Sequence, residues 1–184
     1  MESTFTPSHT TPVVATVDVL IIGGTSQAVL LALSLKKQGA SVYLVAPRSY
    51  LGEDICAAYR FWPEAVAGNA LSQELFGDLV EPPTPMHVKL TLEQHLIDLK
   101  IPFLLNCFPA GLLRNEESQI CGAAIANRSG HQAIQARLVV DATLEASVLR
   151  LAGCEAVYTP TGQQDVEFVT VCEGAGVSAE GVSY

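Results

Sequence analysis

The chain has 184 residues, of which 49% are hydrophobic, and a formal net charge of −9 at pH 7. That hydrophobic content supports one domain with a substantial core and excludes an intrinsically disordered chain. The negative charge argues against nucleic-acid binding, because backbone phosphates would be repelled by such a surface.

The sequence indicates neither a membrane segment nor a metal site. No apolar run reaches the roughly 18 residues of a membrane-spanning helix, and the amino terminus lacks the features of a secretory signal. The five cysteines include no Cys-x-x-Cys pair, and the four histidines are dispersed. We therefore expect a cytoplasmic protein without disulfides or bound metal.

The first predicted unit follows a flexible leader, residues 1–16, which is rich in Thr, Ser and Pro. A short apolar strand at 17–22 ends in a glycine pair, a helix is predicted at 26–38, and a second apolar strand at 41–46 ends before a proline. This order is typical of a right-handed βαβ unit with parallel strands.

The next segment is less regular. Short helices are predicted at 54–60 and 65–79, followed by a helix within 85–100 that begins after Thr91 as its N-cap. A third buried strand is predicted at 101–105.

The second half of the chain alternates short strands with polar turns. Strands at 112–113, 119–127 and 131–136 predict an antiparallel meander, followed by an apolar strand at 138–143 and a helix at 145–151. The fold class is therefore α/β, a Rossmann-like parallel sheet with an antiparallel three-stranded meander insertion. We expect this domain to span residues 17–159.

Residues 160–184 form a loop-like tail or the start of a further segment, with one candidate strand at 166–171. The glycine-rich end fits a cut or processed loop.

Residues 23–28, Gly-Gly-Thr-Ser-Gln-Ala, stand where G-x-G-x-x-G binds a dinucleotide between a strand and a helix. The first glycine permits a tight turn, and the free N–H groups of the helix attract phosphates. Thr25 and Ala28 replace the second and third glycines of that pattern. An ordinary glycine turn is the alternative interpretation.

The acid that binds a ribose hydroxyl at the end of the second strand is missing, since Ala46 occupies its place. Arg48 follows closely and could stack on an adenine or pair with a phosphate, including the 2′-phosphate of NADP. The alternative for Arg48 is an ordinary surface arginine.

Three segments together resemble the FAD-dependent oxidoreductases of the glutathione-reductase-like superfamily, and within it the group with a Gly-Gly-Thr-type loop. They are 18–45, the Ser-Tyr-Leu-Gly stretch at 49–52, and 136–153 with its Asp-Ala-Thr and Ala-Gly sequences. The resemblance extends over about residues 17–154.

The resemblance implies a set of FAD-contacting residues. The pyrophosphate would face the turn after the first strand, and Arg48 and Phe108 would lie near the adenosine, because Pro109 has no N–H to offer. Leu51 and Gly52 would approach the pyrophosphate or the ribityl region, and Ala142 and Thr143 would lie against the cofactor where the sheet ends. The full set is Gly23, Gly24, Thr25, Ser26, Arg48, Leu51, Gly52, Phe108, Ala142 and Thr143.

Several positions depart from the family pattern. Ala46 replaces the ribose-binding acid, Glu53 replaces the second glycine of Leu-Gly-Gly, and Leu144 replaces a glycine after Ala-Thr. A carboxylate beside a pyrophosphate is unfavourable unless it points away or pairs with Arg48. A degenerate domain that binds no cofactor is therefore an open alternative.

No catalytic acid–base pair stands out. Cys56 could be a redox partner or flavin attachment point, or simply a small buried residue. Glu53 and Asp54 could be active-site carboxylates or part of a solvated turn.

The late Gly-Asp strand and the substrate domain of the superfamily are not found in the chain. We expect a second polypeptide, or a missing carboxyl-terminal part of the same enzyme, to supply them and a small-molecule substrate to bind there. The alternatives are a non-catalytic assembly subunit and an NADP-binding module.

Overall fold

The computed structural model describes residues 10–57, 70–77, 83–155 and 162. The predicted strand at 166–171, most of the tail, and parts of the helices predicted at 54–60 and 65–79 lie outside these residues. The described strands are β1 (Val13–Ile22), β2 (Val42–Val45), β3 (Phe103–Leu104), β4 (Phe108–Arg114), β5 (Ile120–Asn127) and β6 (Gly130–Asp141). The described helices are α1 (Ser26–Lys37), α2 (Glu53–Cys56), α3 (Ala70–Phe76), α4 (Pro85–Asp98) and α5 (Ser147–Leu151).

All the described strands form one sheet in the order β3-β2-β1-β6-β5-β4. β1 pairs in parallel with β2 on one side and with β6 on the other, and β2 pairs in parallel with β3. β4, β5 and β6 are antiparallel neighbours. The predicted α/β class, with parallel strands and a three-stranded meander, is confirmed.

β6 corrects one prediction. The sequence suggested separate strands at 131–136 and 138–143, but Gly130–Asp141 is a single strand. Its first half pairs with β5, and most of its length pairs with β1. The last strand of the meander is therefore also a member of the parallel sheet.

β1 lies at the centre of the sheet and is buried on both faces over its second half. Val19 and Ile21 belong to one hydrophobic cluster, while Leu20 and Ile22 belong to another. Double-sided burial explains why this segment is a continuous apolar run. The strand begins at Val13, so residues 13–16 extend it into the sequence predicted as leader.

The helices cover mainly one face of the sheet. α1 buries Val29 and Leu33 and α4 buries Val88, Leu92 and Leu96, all in the cluster that contains Ile21. Each such side chain contributes roughly 1.5–3 kcal/mol relative to an exposed one. On the other face, the second cluster joins the end of β1 to the meander.

The start of α4 differs from the prediction. Thr84, not Thr91, is the N-cap, since its side chain accepts a hydrogen bond from the N–H of His87 at 3.2 Å. Pro85 occupies the first turn, where its missing N–H has no cost. Thr91 lies within the helix, which is held to α3 by a 2.7 Å contact between His95 Nε2 and the Leu75 carbonyl.

Candidate functional site

Three parallel strands end side by side at one edge of the sheet. Ile22 is in register with Val45 of β2 and with Asp141 of β6. The residues that follow these strands are therefore neighbours. In open α/β sheets, ligands bind outside the carboxyl ends of strands, where the chain leaves the central strand in opposite directions.

Gly23 makes the closest contact at this edge. Its φ is +140°, and a Cβ at this position would overlap the Ala142 carbonyl and lie 2.8 Å from the Thr143 nitrogen. Its N–H donates to the Val45 carbonyl at 2.8 Å. A side chain here would push the turn after β1 away from the segment that follows β6, so the position requires glycine.

A second segment braces the turn from the other side. The Gly24 carbonyl accepts a 2.7 Å hydrogen bond from the Gly52 N–H. A Cβ on Gly24 would lie 3.0 Å from the Cβ of Ala46 and 3.7 Å from Leu51. Leu51 and Gly52 are buried, and they hold the segment after β2 against the glycine turn.

Thr25 is the N-cap of α1 and is 5% exposed. Its Oγ1 accepts a 3.1 Å hydrogen bond from the Ala28 N–H, and its hydroxyl lies 3.5 Å from the Ala142 carbonyl. The residue that replaces the second glycine therefore satisfies one of the free donors at the start of α1.

A carboxylate accepts hydrogen bonds from Ser26, the first residue of the same helix. The Ser26 N–H donates to Asp54 Oδ1 at 2.8 Å, and the Ser26 hydroxyl donates to Asp54 Oδ2 at 2.5 Å. Asp54 belongs to α2, 28 residues along the chain. The N-terminus of α1 thus already holds an anion, as its dipole and free donors favour.

Glu53 and Asp54 are not a solvated turn, so that interpretation of the sequence is wrong. Glu53 is 6% exposed, and its Oε2 lies 3.3 Å from Arg48 Nε. The pairing removes a free negative charge from beside the glycine turn. The Arg48 side chain is 57% exposed, so part of its guanidinium surface faces solvent.

A cavity of about 500 Å³ lies between the segment after β2 and the starts of β4 and α5. Arg48 and Phe108, which the sequence assigned to the adenosine half, both line it. Glu145 and Ser147 also line it. The structure therefore brings the two predicted adenosine contacts to one cavity at the carboxyl edge of the sheet.

Phe108 extends the site toward the meander. The side chain is 58% exposed and also lines a second cavity of about 530 Å³, with Asn127 and Arg128. Asn106 lines both cavities in the left-handed conformation (φ 54°), and its N–H donates to the Arg48 carbonyl at 3.0 Å. Exposed aromatic surface beside a cation suits a flat, electron-rich ring.

The turn after β6 is organised by Asp141. Its carboxylate accepts hydrogen bonds from the N–H and hydroxyl of Thr143, at 3.0 and 2.7 Å, and from the N–H groups of Val148 and Leu149. The Thr143 hydroxyl also accepts from the Ser147 N–H at 2.8 Å. Ala142 and Thr143 therefore contact the glycine turn through their backbone, while the Thr143 side chain serves α5.

Cys56 is buried at 6% exposure. Burial raises the pKa of its thiol, an effect opposed by nearby Lys89 and increased by Asp54. A raised pKa keeps the thiol protonated and poorly nucleophilic at neutral pH. The small-buried-residue interpretation suits Cys56 better than a reactive role.

The chain matches a family model described as FAD dependent oxidoreductase over residues 18–177. The match covers more than half of the chain. This protein belongs to the FAD-dependent oxidoreductase family. A search of curated protein sequences gives no significant match.

Solved structures with this fold support the same architecture. A geranylgeranyl bacteriochlorophyll reductase-like protein from Thermoplasma acidophilum has a TM-score of 0.57 and 16% identity, covering 79% of this chain and 44% of that one. THI4 from Thermovibrio ammonificans has a TM-score of 0.55 and 18% identity, covering 76% of this chain and 64% of that one. A flavocytochrome c3 fumarate reductase has a TM-score of 0.51 and 20% identity, covering 70% of this chain and 34% of that one.

At these identities the likeness establishes the fold of this FAD-dependent oxidoreductase and nothing further. The chain spans between 34% and 64% of the lengths of those three structures. Any activity of a whole enzyme is therefore a matter for proposal.

The described residues fit FAD, the cofactor of the family. The α1 N-terminus binds the Asp54 carboxylate, which stands in for an anionic phosphate, and Gly23 lets the backbone approach closely. A cavity lined by Arg48 and Phe108 lies at the same carboxyl edge of the sheet.

The sequence did not identify three residues that organise the site. Asp54 and Asp141 were not assigned to helix N-termini, and Asn106 was not assigned to a cavity. Only Asp141 had a local signal, because an Asp-x-Thr sequence before a helix favours capping.

In the described part of the chain, no group of His, Cys, Asp and Glu could hold a metal ion. The helices found there include none with the length and apolar content needed to cross a membrane.

Proposed function

We propose that the chain is the FAD-binding part of a flavin-dependent oxidoreductase of the glutathione-reductase-like superfamily, in the group with a Gly-Gly-Thr-type loop. One observation carries the proposal: the anion-binding N-terminus of α1 opens at the row where β1, β2 and β6 end. This is where a Rossmann-like domain holds a dinucleotide pyrophosphate.

The geometry supports a role for each residue that the resemblance implies. Gly23, Gly24, Thr25 and Ser26 would hold the pyrophosphate through the turn and the start of α1. Leu51, Gly52, Ala142 and Thr143 would fix the shape of that turn, since their backbone or side chains pack against it. The Arg48 guanidinium and the Phe108 ring would contact the adenosine from two walls of the same cavity.

FAD would supply the redox chemistry through its isoalloxazine ring. The protein's own contribution in this chain would be to bind and orient the dinucleotide. We propose a small organic substrate, bound by a domain that a second polypeptide or a further segment of the same enzyme provides. The short span of this chain relative to its structural neighbours supports that division. A cytoplasmic location stays a prediction.

The test is to purify the protein, desalt it, and record the visible absorption spectrum and the bound nucleotide. Retained FAD at a stoichiometric level is the expected result. Titration with FAD would then compare Arg48→Ala with Arg137→Ala, an arginine on β6 paired with Asp18 outside the site. We expect only Arg48→Ala to weaken binding.

A non-catalytic assembly subunit is the second candidate, because Asp54 already bonds the Ser26 N–H that a phosphate would use. A protein that does not bind added FAD, isolated in tight complex with another polypeptide, would favour it. NADPH retained by a flavin-free chain would favour an NADP-binding module instead.

A further inference from the structure

The contact between Asp54 and Ser26 joins two segments that are far apart in sequence. One carboxylate accepts from both the N–H and the hydroxyl of Ser26, at 2.8 and 2.5 Å. Hydrogen bonds to an ionised acceptor are stronger than neutral ones, and an anion at a helix N-terminus gains further from the dipole. Asp54 therefore uses the donors that a phosphate at this turn would need.

A carboxylate and a phosphate cannot share these donors. Two negative groups within about 4–6 Å repel each other strongly in a partly buried site. The neighbouring Glu53 differs, because its carboxylate is paired with Arg48 and the Ser26 donors bond Asp54. Of the two adjacent acids, Asp54 alone competes directly with a diphosphate.

We propose that Asp54 is an internal competitor for the cofactor's diphosphate, so that FAD enters the site by displacing this carboxylate from the N-terminus of α1. The inference rests on the proposed function of the turn as an FAD site. Asp54 would thereby control the affinity of the protein for FAD, a role that membership of the FAD-dependent oxidoreductase family does not by itself imply.

The surrounding bonds permit this displacement. The segment that carries Asp54 is anchored by backbone bonds, from Gly52 N–H to the Gly24 carbonyl and from Cys56 N–H to the Gly52 carbonyl. Asp54 contacts Ser26 through its side chain alone. Rotation about the side-chain bonds therefore frees the donors while the glycine turn and α2 keep their positions.

Binding of FAD, ADP and adenosine to wild type and to Asp54→Asn, measured by calorimetry, tests the proposal. Asparagine keeps the size of the side chain but removes its charge. We expect the variant to bind FAD and ADP roughly tenfold more tightly, equivalent to about 1.4 kcal/mol, with unchanged affinity for adenosine, which has no phosphate. The difference between ADP and adenosine separates competition from a purely structural effect.

Asp98→Asn is the matched control, because it changes the net charge equally at an exposed position of α4. Its ADP affinity should equal that of wild type. As a second measurement, the amide resonance of Ser26 should shift when ADP is added to wild type and should shift less with adenosine.

The outcomes distinguish this inference from the proposed function. FAD binding by wild type with equal or weaker ADP affinity in Asp54→Asn would overturn the competition and leave the FAD site intact. A tenfold gain for adenosine as well would also overturn it, since the phosphate would then be irrelevant. No binding of FAD or ADP by either protein would overturn both proposals together.

Discussion

Two strand-to-helix turns lie side by side at the carboxyl edge of the sheet, one after β1 and one after β6, and each brings a carboxylate to a helix N-terminus. In the turn after β6, Asp141 comes from the strand itself and bonds the N–H groups of Val148 and Leu149. In the turn after β1, Asp54 comes from a segment 28 residues away.

The origin of the carboxylate decides what each turn can do. A carboxylate of the turn itself, such as Asp141, accepts hydrogen bonds from both the turn and the helix, so its departure would leave four donors without this acceptor. One supplied by a separate segment satisfies the donors only while its side chain is in place. The turn after β6 is therefore suited to stabilising the fold, and the turn after β1 is suited to exchanging one bound anion for another.

A substitution at the contact between the two turns should have the largest effect. Gly23→Ala puts a methyl group onto the Ala142 carbonyl, and we expect about 3 kcal/mol or more of destabilisation together with loss of FAD binding. Chemical denaturation and FAD titration measure the two effects. Gly39→Ala is the control, because Gly39 also has a positive φ but has nothing within 4 Å of the added methyl. Equal losses in the two variants would contradict the role of close packing.

The two carboxylates should differ in their structural importance. Asp141→Ala removes four hydrogen bonds and leaves the start of α5 without its acceptor, so we expect a loss of about 2 kcal/mol or more in unfolding free energy. Asp54→Ala should cost only about 1 kcal/mol. Urea denaturation of both variants provides the comparison. A greater cost at Asp54 would show that its contact is part of the fold, not exchangeable.

Removing the N-cap of α1 should reduce the stability of the protein by a smaller amount. Thr25→Ala removes the acceptor for the Ala28 N–H and should cost about 1 kcal/mol, whereas Thr25→Ser keeps the hydroxyl and should cost less. Thr84→Ala removes the equivalent cap of α4, away from the turn. Thermal unfolding should give similar losses for the two alanine variants, and only Thr25→Ala should also change FAD affinity. An FAD affinity altered by Thr84→Ala would argue against a local effect.

The smallest effect concerns Asp18, a carboxylate of β1 that serves no helix. Hydrogen bonds from the Ser41 hydroxyl and N–H lower its pKa below the usual 3.8. A lowered folded-state pKa gives stability that is present above pH 3.8 and is lost as the pH falls through the lower value. Ser41→Ala should raise this pKa toward 3.8 in an NMR titration. An unchanged titration curve would show that the Ser41 hydroxyl is not responsible.

The sequence predicted the βαβ unit because its signals are local. The apolar run before Gly23 is buried on both faces, and α1 runs from Ser26 to Lys37, one residue short of the predicted end. A glycine pair between such segments indicates the turn directly. The residues predicted from the turn and from the end of β6 are neighbours for the same reason, because parallel strands end in one row.

The error in β6 has a simple physical cause. Arg137 lies between the two predicted strands and resembles a break, but it is an outward position of one strand, exposed and 3.4 Å from Asp18. In a strand that alternates between buried and exposed faces, a polar residue is expected at every second position. Local composition could not distinguish a turn from an outward side chain.

The contact of Asp54 had no local signal at all. It depends on how α2 packs against the turn after β1, which backbone bonds such as that between Gly52 and Gly24 determine. The sequence did indicate that Glu53 beside a pyrophosphate would either point away or pair with Arg48, and the structure shows the pairing. Which of the two adjacent acids would meet Ser26 could be known only from the structure.

The length of β6 sets the position of the turn that follows it. Residues 130–135 pair in register with β5 and residues 133–141 with β1, so the two pairings together fix the distance from the hairpin at Gly130 to Ala142. Deleting one residue within β6 would reverse which side chains face inward and move the Ala142 carbonyl off Gly23. We therefore expect evolution to replace residues on the outer face of β6 freely while preserving its length.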